Sequence, residues 1–271
     1  MERLYDNSTE FFINRIKAKN VSMGYLQAHN YYELYYLTEG SRKYFINDTV
    51  YSVEEGDVLI IPPGLLHRSI GDNPGKHSRV LINIMCNMFD EEFKSEYDDC
   101  IKNYFVMVPN KRKRYFDELI EKIESEYTNK DNFSKKLINN YINEMMMFFV
   151  RASKMEDAQY IGNETDEVIG NAAKYICMNY GKDISLEEVA RAVGMSKTYF
   201  SKIFKTKTGS GFSDYLTSVR VTEASKLIVN TDLSITEVAV RCGFNDSSYF
   251  SSVFKSLKGI TPYKYRKSVK L

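Results

Sequence analysis

The 271-residue sequence has only four cysteines, and Cys86, Cys100, Cys177 and Cys242 form neither a CxxC pair nor a Cys/His cluster. That spacing excludes a zinc finger and a disulfide scaffold, and it fits a reducing cytoplasm. Long apolar runs are missing too. The longest, Met145–Val150, falls far short of the roughly 20 residues a membrane span requires. The first residues, MERLYDNSTEFF, hold acids and no apolar core, so no leader peptide and no membrane partner are expected. No Ser-His-Asp set, phosphate loop or paired-carboxylate motif stands out, so no enzyme activity is expected. Glu187-Glu188 reads as first-turn helix charge. Net charge is nearly absent, with 37 Lys+Arg against 36 Asp+Glu.

The small total conceals a division. Residues 161–271 hold 16 Lys+Arg and 11 Asp+Glu, a net +5, while residues 1–160 hold 21 and 25, a net −4. A basic C-terminal part joined to an acidic N-terminal part points to nucleic acid at one end. The length suits about two domains, and 43% hydrophobic with 27% charged residues describe an ordinary globular chain.

The N-terminal part reads as strands at Tyr32–Leu37, Arg42–Ile46, Val50–Val53, Asp57–Ile61 and Val80–Met85. Glu39-Gly40, Asn47-Asp48, Glu55-Gly56 and Pro62-Pro63-Gly64 supply the turns. Short strands at close spacing predict an antiparallel barrel or sandwich. From about Lys111 the apolar period becomes helical, through Phe116, Leu119, Ile120, Ile123 and Tyr127. A second helix runs through Leu137, Ile138, Tyr141, Ile142, Met145, Phe148 and Phe149. These stripes have two fates, packing on the strands or pairing with a second chain. A polar stretch at Met155–Asn163 marks a linker, and helices follow. The domains are therefore set at 1–108, 109–160 and 161–271.

The C-terminal part contains a repeat. Ser185, Glu188, Val189, Ala190 and Gly194 match Ser234, Glu237, Val238, Ala239 and Gly243. Tyr199, Phe200, Ser201, Phe204, Lys205, Gly209 and Tyr215 match Tyr249, Phe250, Ser251, Phe254, Lys255, Gly259 and Tyr265. Each copy opens with a capping box and a short helix, Leu186–Val193 or Ile235–Cys242. A glycine turn follows, then a second helix capped at Ser196 or at Asn245/Asp246. Phe200, Ile203 and Phe204, and Phe250, Val253, Phe254 and Leu257, form the buried stripes. This is the helix-turn-helix arrangement, whose second helix enters the major groove. Phe212–Val229 joins the copies as one helix of about 27 Å.

Gly243-Phe244-Asn245-Asp246-Ser247-Ser248-Tyr249-Phe250, then Phe254-Lys255, Gly259, Thr261-Pro262 and Tyr265-Arg266, resemble the signature of the AraC/XylS transcription regulators. The resemblance covers about residues 167–267. It implies a double helix-turn-helix domain behind a sensory or dimerisation domain, and activation more often than repression. In that family the positions of Thr198, Ser201 and Lys202 face base edges, and Lys202 suits guanine O6/N7. Lys197, Lys205 and Lys207 suit phosphates. In the second copy the outward positions are Ser247, Ser248, Ser251 and Ser252, which discriminate bases weakly. That copy is expected to clamp the backbone through Lys255, Lys258, Lys264 and Arg266.

Gly56-x5-Pro62-x-Gly64-x2-His67 resembles the second cupin motif, and His29-x3-Glu33 part of the first, with Gln27 where a further histidine is usual. The resemblance implies a cupin-like barrel. His29, Glu33 and His67 make a partial 2-His-1-carboxylate set of a kind that suits iron. With one ligand lost, no metal and no cofactor is assigned. An organic effector, a sugar or other metabolite, is expected in the barrel mouth near Gln27, His29, Glu33, Tyr35, Tyr44 and His67, with Tyr31 and Phe45 as further wall candidates.

The expected fold class is a two-domain α+β protein: a cupin-like antiparallel barrel with following helices, then an all-α double helix-turn-helix domain. The expected function is a cytoplasmic, effector-modulated, homodimeric regulator that binds promoter DNA and, as an activator, meets RNA polymerase. The alternatives are a metal-dependent cupin enzyme fused to a DNA-binding module and a ligand-independent regulator with a scaffold barrel.

Overall fold

The computed structural model describes residues 11–19, 26–46, 49–70, 76–93, 95–97, 105–107, 113–153 and 164–269. The Asn47-Asp48 turn, Cys100 and the stretch read as a linker lie outside them. Eight strands are described: β1 (Phe11–Lys19), β2 (Tyr32–Glu39), β3 (Ser41–Ile46), β4 (Thr49–Glu54), β5 (Asp57–Ile61), β6 (His67–Ile70), β7 (Lys76–Ile84) and β8 (Phe105–Met107).

The strands do not close into the expected barrel. Among the described residues they form two open sheets, ordered β1-β7-β2-β5-β8 and β4-β3-β6, with antiparallel neighbours throughout. The period-2 alternation gives each sheet an inner face, and the two inner faces meet. Tyr35, Leu37, Leu59 and Ile61 of the large sheet pack there against Tyr44, Ile46, Tyr51 and Val53 of the small one.

β2 is buried on both faces from Tyr32 to Leu37, and its other face explains the central helices. Tyr36, Val58 and Ile82 of the large sheet share a core with Phe116, Leu119, Ile120 and Ile123 of α1 (Lys113–Asn129). Ile142, Met145 and Phe149 of α2 (Ser134–Ser153) join it. Sheet packing is thus the fate the structure gives these stripes. Phe133, Tyr115 and Met147 stay exposed outside it.

Seven helices follow among the described residues. They are α3 (Glu164–Asn179), α4 (Leu186–Ala192), α5 (Lys197–Thr208), α6 (Phe212–Asn230), α7 (Ile235–Arg241), α8 (Ser247–Lys258) and α9 (Pro262–Val269). Gly194 at φ 71° and Gly243 at φ 80° turn α4 into α5 and α7 into α8. Ser196 and Asp246 cap the second helix of each module through the amides of Tyr199 and Tyr249. The reciprocal capping box is complete only at Ser234/Glu237. At Ser185 half of it forms, because the Glu188 carboxylate instead accepts from the Tyr175 hydroxyl at 2.9 Å.

α6 contributes to two cores. Tyr215, Leu216 and Val219 belong to the first module, with Ile169, Ala172, Phe200 and Phe204. Val221, Ala224 and Ile228 belong to the second, with Val238, Ala239, Phe250 and Phe254. The first core continues across the chain's two halves. Phe45 and Val50, on the outer face of the small sheet, join it with Leu26 and Leu66, and the Phe45 and Tyr215 rings lie 5.8 Å apart. Tyr44 turns inward and Phe45 turns to the helices, as neighbours on a strand must.

Candidate nucleic-acid interface and ligand site

In α5, Phe200 and Phe204 are completely buried, which leaves Lys197, Thr198, Ser201, Lys202 and Lys205 on the exposed face. In α8, Phe250 and Phe254 play the same part. Ser247, Ser248, Ser252 and Lys255 are exposed there and Ser251 is half-buried. Both helices also present a tyrosine at the same position, Tyr199 at 55% and Tyr249 at 58% exposure. Sequence reasoning used these two only as repeat markers. Their place off both buried stripes was the signal that pointed outward. Lys197 reaches Glu187 at 3.8 Å, but both side chains are well exposed, so this pair holds the lysine weakly.

Two residues of the expected backbone clamp are engaged elsewhere. The Lys258 ammonium donates to the Ala28 carbonyl at 2.8 Å, across the junction between the two halves. Burial there, with Lys226 nearby, brings its pKa down to about 8. Arg266 donates to the carbonyls of Ile228 and Leu233, and so fastens α9 to the end of α6. A lysine so late in a recognition helix, and an arginine beyond it, reach the protein's own carbonyls rather than open solvent. Lys255 and Lys264 keep exposed positions.

The expected effector residues separate into two places. Tyr35 and Tyr44 are not at a mouth. They are 0% and 1% exposed, with rings 4.8 Å apart, edge to face, between the sheets. Gln27, His29, Glu33 and His67 gather at the junction. A two-way backbone bridge ties Gln27 to His67, each amide donating to the other's carbonyl at 2.9 Å, and the Gly64 amide donates to the His29 carbonyl at 2.8 Å. Gly64 makes this turn at φ 79°. The proline-glycine turn thereby holds residues 27–29 beside β6.

His29 Nε2 lies 3.4 Å from Glu33 Oε2, and His67 Nε2 lies 3.9 Å from Glu33 Oε1. Both imidazoles are anchored from the other side, Nδ1 of His29 on the Tyr31 carbonyl at 2.8 Å and Nδ1 of His67 on the Leu65 carbonyl at 3.0 Å. A carbonyl only accepts, so each Nδ1 carries a proton and each ring turns its Nε2 toward Glu33. Burial lowers the His67 pKa to about 4 against the pull of Glu33, with His29 and Lys258 adding to the fall. Burial opposes the charge on Glu33, but His29, His67 and Arg79 overcome it and hold its pKa at about 2. At neutral pH the cluster is thus one carboxylate facing a neutral His67.

His29 stacks on Tyr31, with ring centres 3.9 Å apart. It also borders a cleft of about 470 Å³ at the junction, whose other side is Ser218 and Thr222 of α6, Ser256 and Lys258 of α8 and Tyr265 of α9. The cleft therefore touches the sheet half and the second module together.

Residues 15–84 match the family described as the AraC-like ligand binding domain, and residues 189–268 match a helix-turn-helix domain family. The chain is 22% identical over 238 residues to the Msm operon regulatory protein of Streptococcus mutans, over 88% of this chain and 84% of that one. It is 27% identical over 250 residues to the HTH-type transcriptional activator RhaS of Mannheimia succiniciproducens, over 88% and 87%. The C-terminal domain of AraT, a response regulator from Geobacillus stearothermophilus, matches with 33% identity over 39% of this chain and 88% of that one, at a TM-score of 0.37.

Proposed function

Because the chain belongs to the AraC family of transcription regulators, with an AraC-like ligand-binding domain and a helix-turn-helix domain, we propose that α5 and α8 read promoter DNA under the control of a small molecule. The observation that carries this reading is the paired exposure of two equivalent helices. Each buries two phenylalanines and turns its polar residues outward. Lys202 is the base reader of α5, and Lys197, Lys205 and Lys255 hold phosphates. Thr198, Ser201 and the serines of α8 complete the contact, and Tyr199 and Tyr249 lie flat on the sugar-phosphate edge.

The effector lies in the cleft at the junction, where Gln27 and His29 face hydroxyls of α6 and α8. A molecule that binds one arrangement of the two halves better than another shifts DNA affinity by that difference. The regulator acts in the cytoplasm as a homodimer, through the exposed rim of Tyr115 and Met147, and as an activator it engages RNA polymerase.

Genome-wide mapping of bound sites supplies the operator for the test. On it, Lys202→Ala should weaken binding about tenfold and relax discrimination at one base pair, within the range of a single bidentate base contact. Fluorescence anisotropy on operator variants measures both. Unchanged affinity and unchanged base preference would remove α5 from the reading role.

A further inference from the structure

We propose that Lys258 forms an imine with a small hydroxylated aldehyde or ketone, which rests on the junction cleft being the effector site and gives that effector a chemical class.

Among the described residues that line the cleft of about 470 Å³, Lys258 is the one Lys or Arg, and no Asp or Glu is present. The amine thus borders a volume that suits a small metabolite, with no carboxylate on the walls to hold its charge. The acceptor of its hydrogen bond across the junction is a neutral carbonyl, that of Ala28 at 2.8 Å. Lys226 of α6, itself paired with Glu223 at 2.7 Å, adds a second positive charge nearby. Desolvation and a neighbouring cation are two ways in which a protein makes a lysine nucleophilic. With its pKa brought down to about 8, Lys258 holds at least about a hundredfold more free amine near neutral pH than a lysine in water. An amine that donates one N–H to Ala28 keeps its lone pair for attack.

The neutral nitrogen attacks the carbonyl carbon and forms the C–N bond, and a proton passes from nitrogen to the carbonyl oxygen. The carbinolamine then loses that oxygen as water, which leaves C=N. Amine plus carbonyl gives imine plus water, so no oxidant or reductant is consumed. The walls carry the amide of Gln27 and the hydroxyls of Ser218, Thr222, Ser256 and Tyr265. These groups suit hydroxyls on the carbons beside the reacting one. Capture turns an ammonium with three N–H donors into a nitrogen with at most one. It therefore acts on the bond that ties α8 to Ala28.

The test incubates the full chain with D-glyceraldehyde and sodium cyanoborohydride, which reduces an imine to a stable amine, and maps the peptides by mass spectrometry. Lys258 should be labelled at least about tenfold faster than Lys255, which is exposed three positions earlier on the same helix. Lys258→Arg, which keeps the charge, should remove the fast labelling and leave the slow labelling of exposed lysines. Circular dichroism must show that variant folded, and should it lose its structure the ratio of rates in the unaltered chain decides alone. Labelling of Lys258 no faster than that of Lys255 overturns the proposal. Operator affinity, measured on the same samples, separates capture from the effector role of the cleft. A change in affinity that follows the Lys258 adduct supports both. Fast labelling with affinity unchanged leaves the imine site standing and overturns the effector role, whereas a change in affinity while Lys258 lags overturns the capture alone.

Discussion

Raising monovalent salt from about 50 to about 200 mM should weaken DNA binding by roughly 40-fold per chain. The figure follows from which cations are available. Three exposed lysines are assigned to phosphates, Lys197 and Lys205 of α5 and Lys255 of α8, while Lys202 is assigned to a base edge. At about −0.9 per neutralised phosphate, three contacts set the slope of log K against log salt at about −2.7. Lys258 and Arg266 are left out because their charged groups are bound to the protein's own carbonyls. Were both on phosphates as well, the slope would be about −4.5 and the loss would reach about 500-fold. Affinity measured across a salt series therefore separates the three-lysine interface from the five-cation one. The Lys197→Ala, Lys205→Ala, Lys255→Ala triple variant should bring the slope close to zero. A slope near zero in the unaltered chain would leave no place for the interface at all.

The two turn glycines should answer alanine very differently. Both have positive φ, 71° at Gly194 and 80° at Gly243, and a side chain in that region costs about 1 kcal/mol. At Gly194 an added Cβ meets nothing within 4 Å, so Gly194→Ala should cost about 1 kcal/mol. At Gly243 it would lie 2.8 Å from the Tyr180 carbonyl oxygen and 2.9 Å from Arg220 Nη2. Neither neighbour yields easily. Arg220 is pinned by hydrogen bonds to the carbonyls of Tyr180 at 2.8 Å and Lys182 at 2.9 Å. Overpacking against such a point adds about 2 kcal/mol, for a total near 3 kcal/mol. Urea denaturation of the two variants measures the difference. Equal costs would mean that the second turn does not rest on the segment between α3 and α4.

The repeat was legible because it is built from local rules. Ser196 and Asp246 cap, Gly194 and Gly243 turn, and Phe200, Phe204, Phe250 and Phe254 recur at helical spacing. Strands with strict turn residues at both ends, such as Asp57–Ile61, were legible for the same reason. β1 and β6 were not. Phe11–Lys19 opens on an apolar run, Phe11-Phe12-Ile13, that masks the alternation from Arg15 on, and His67–Ile70 is too short to show a period. Whether eight strands close or stay open depends on pairing across the chain, which no local pattern records. The junction was hidden likewise. Nothing near Lys258 in the sequence indicates Ala28, 230 positions away. His29, Glu33 and His67 were visible as a set through motif spacing. The backbone carbonyls that orient the two rings belong to Tyr31 and Leu65, whose side-chain chemistry carries no such information.

The continuity of the first module's core with the small sheet bears on how the molecule opens. Phe45, Val50 and Leu66 share one packed interior with Phe204 and Tyr215, so they should open together. The second module has its own interior, beginning at Val221, and is tied to the sheet half by the hydrogen bond from Lys258 to the Ala28 carbonyl. The boundary of cooperative opening then falls within α6, between Val219 and Val221, rather than at the polar stretch before α3. Native-state amide exchange would show α7, α8 and α9 exchanging as one unit of low protection. The small sheet and α5 would exchange together, at a higher free energy. One reading helix is thus as slow to open as the sheet it is packed on, while the other comes and goes on its own.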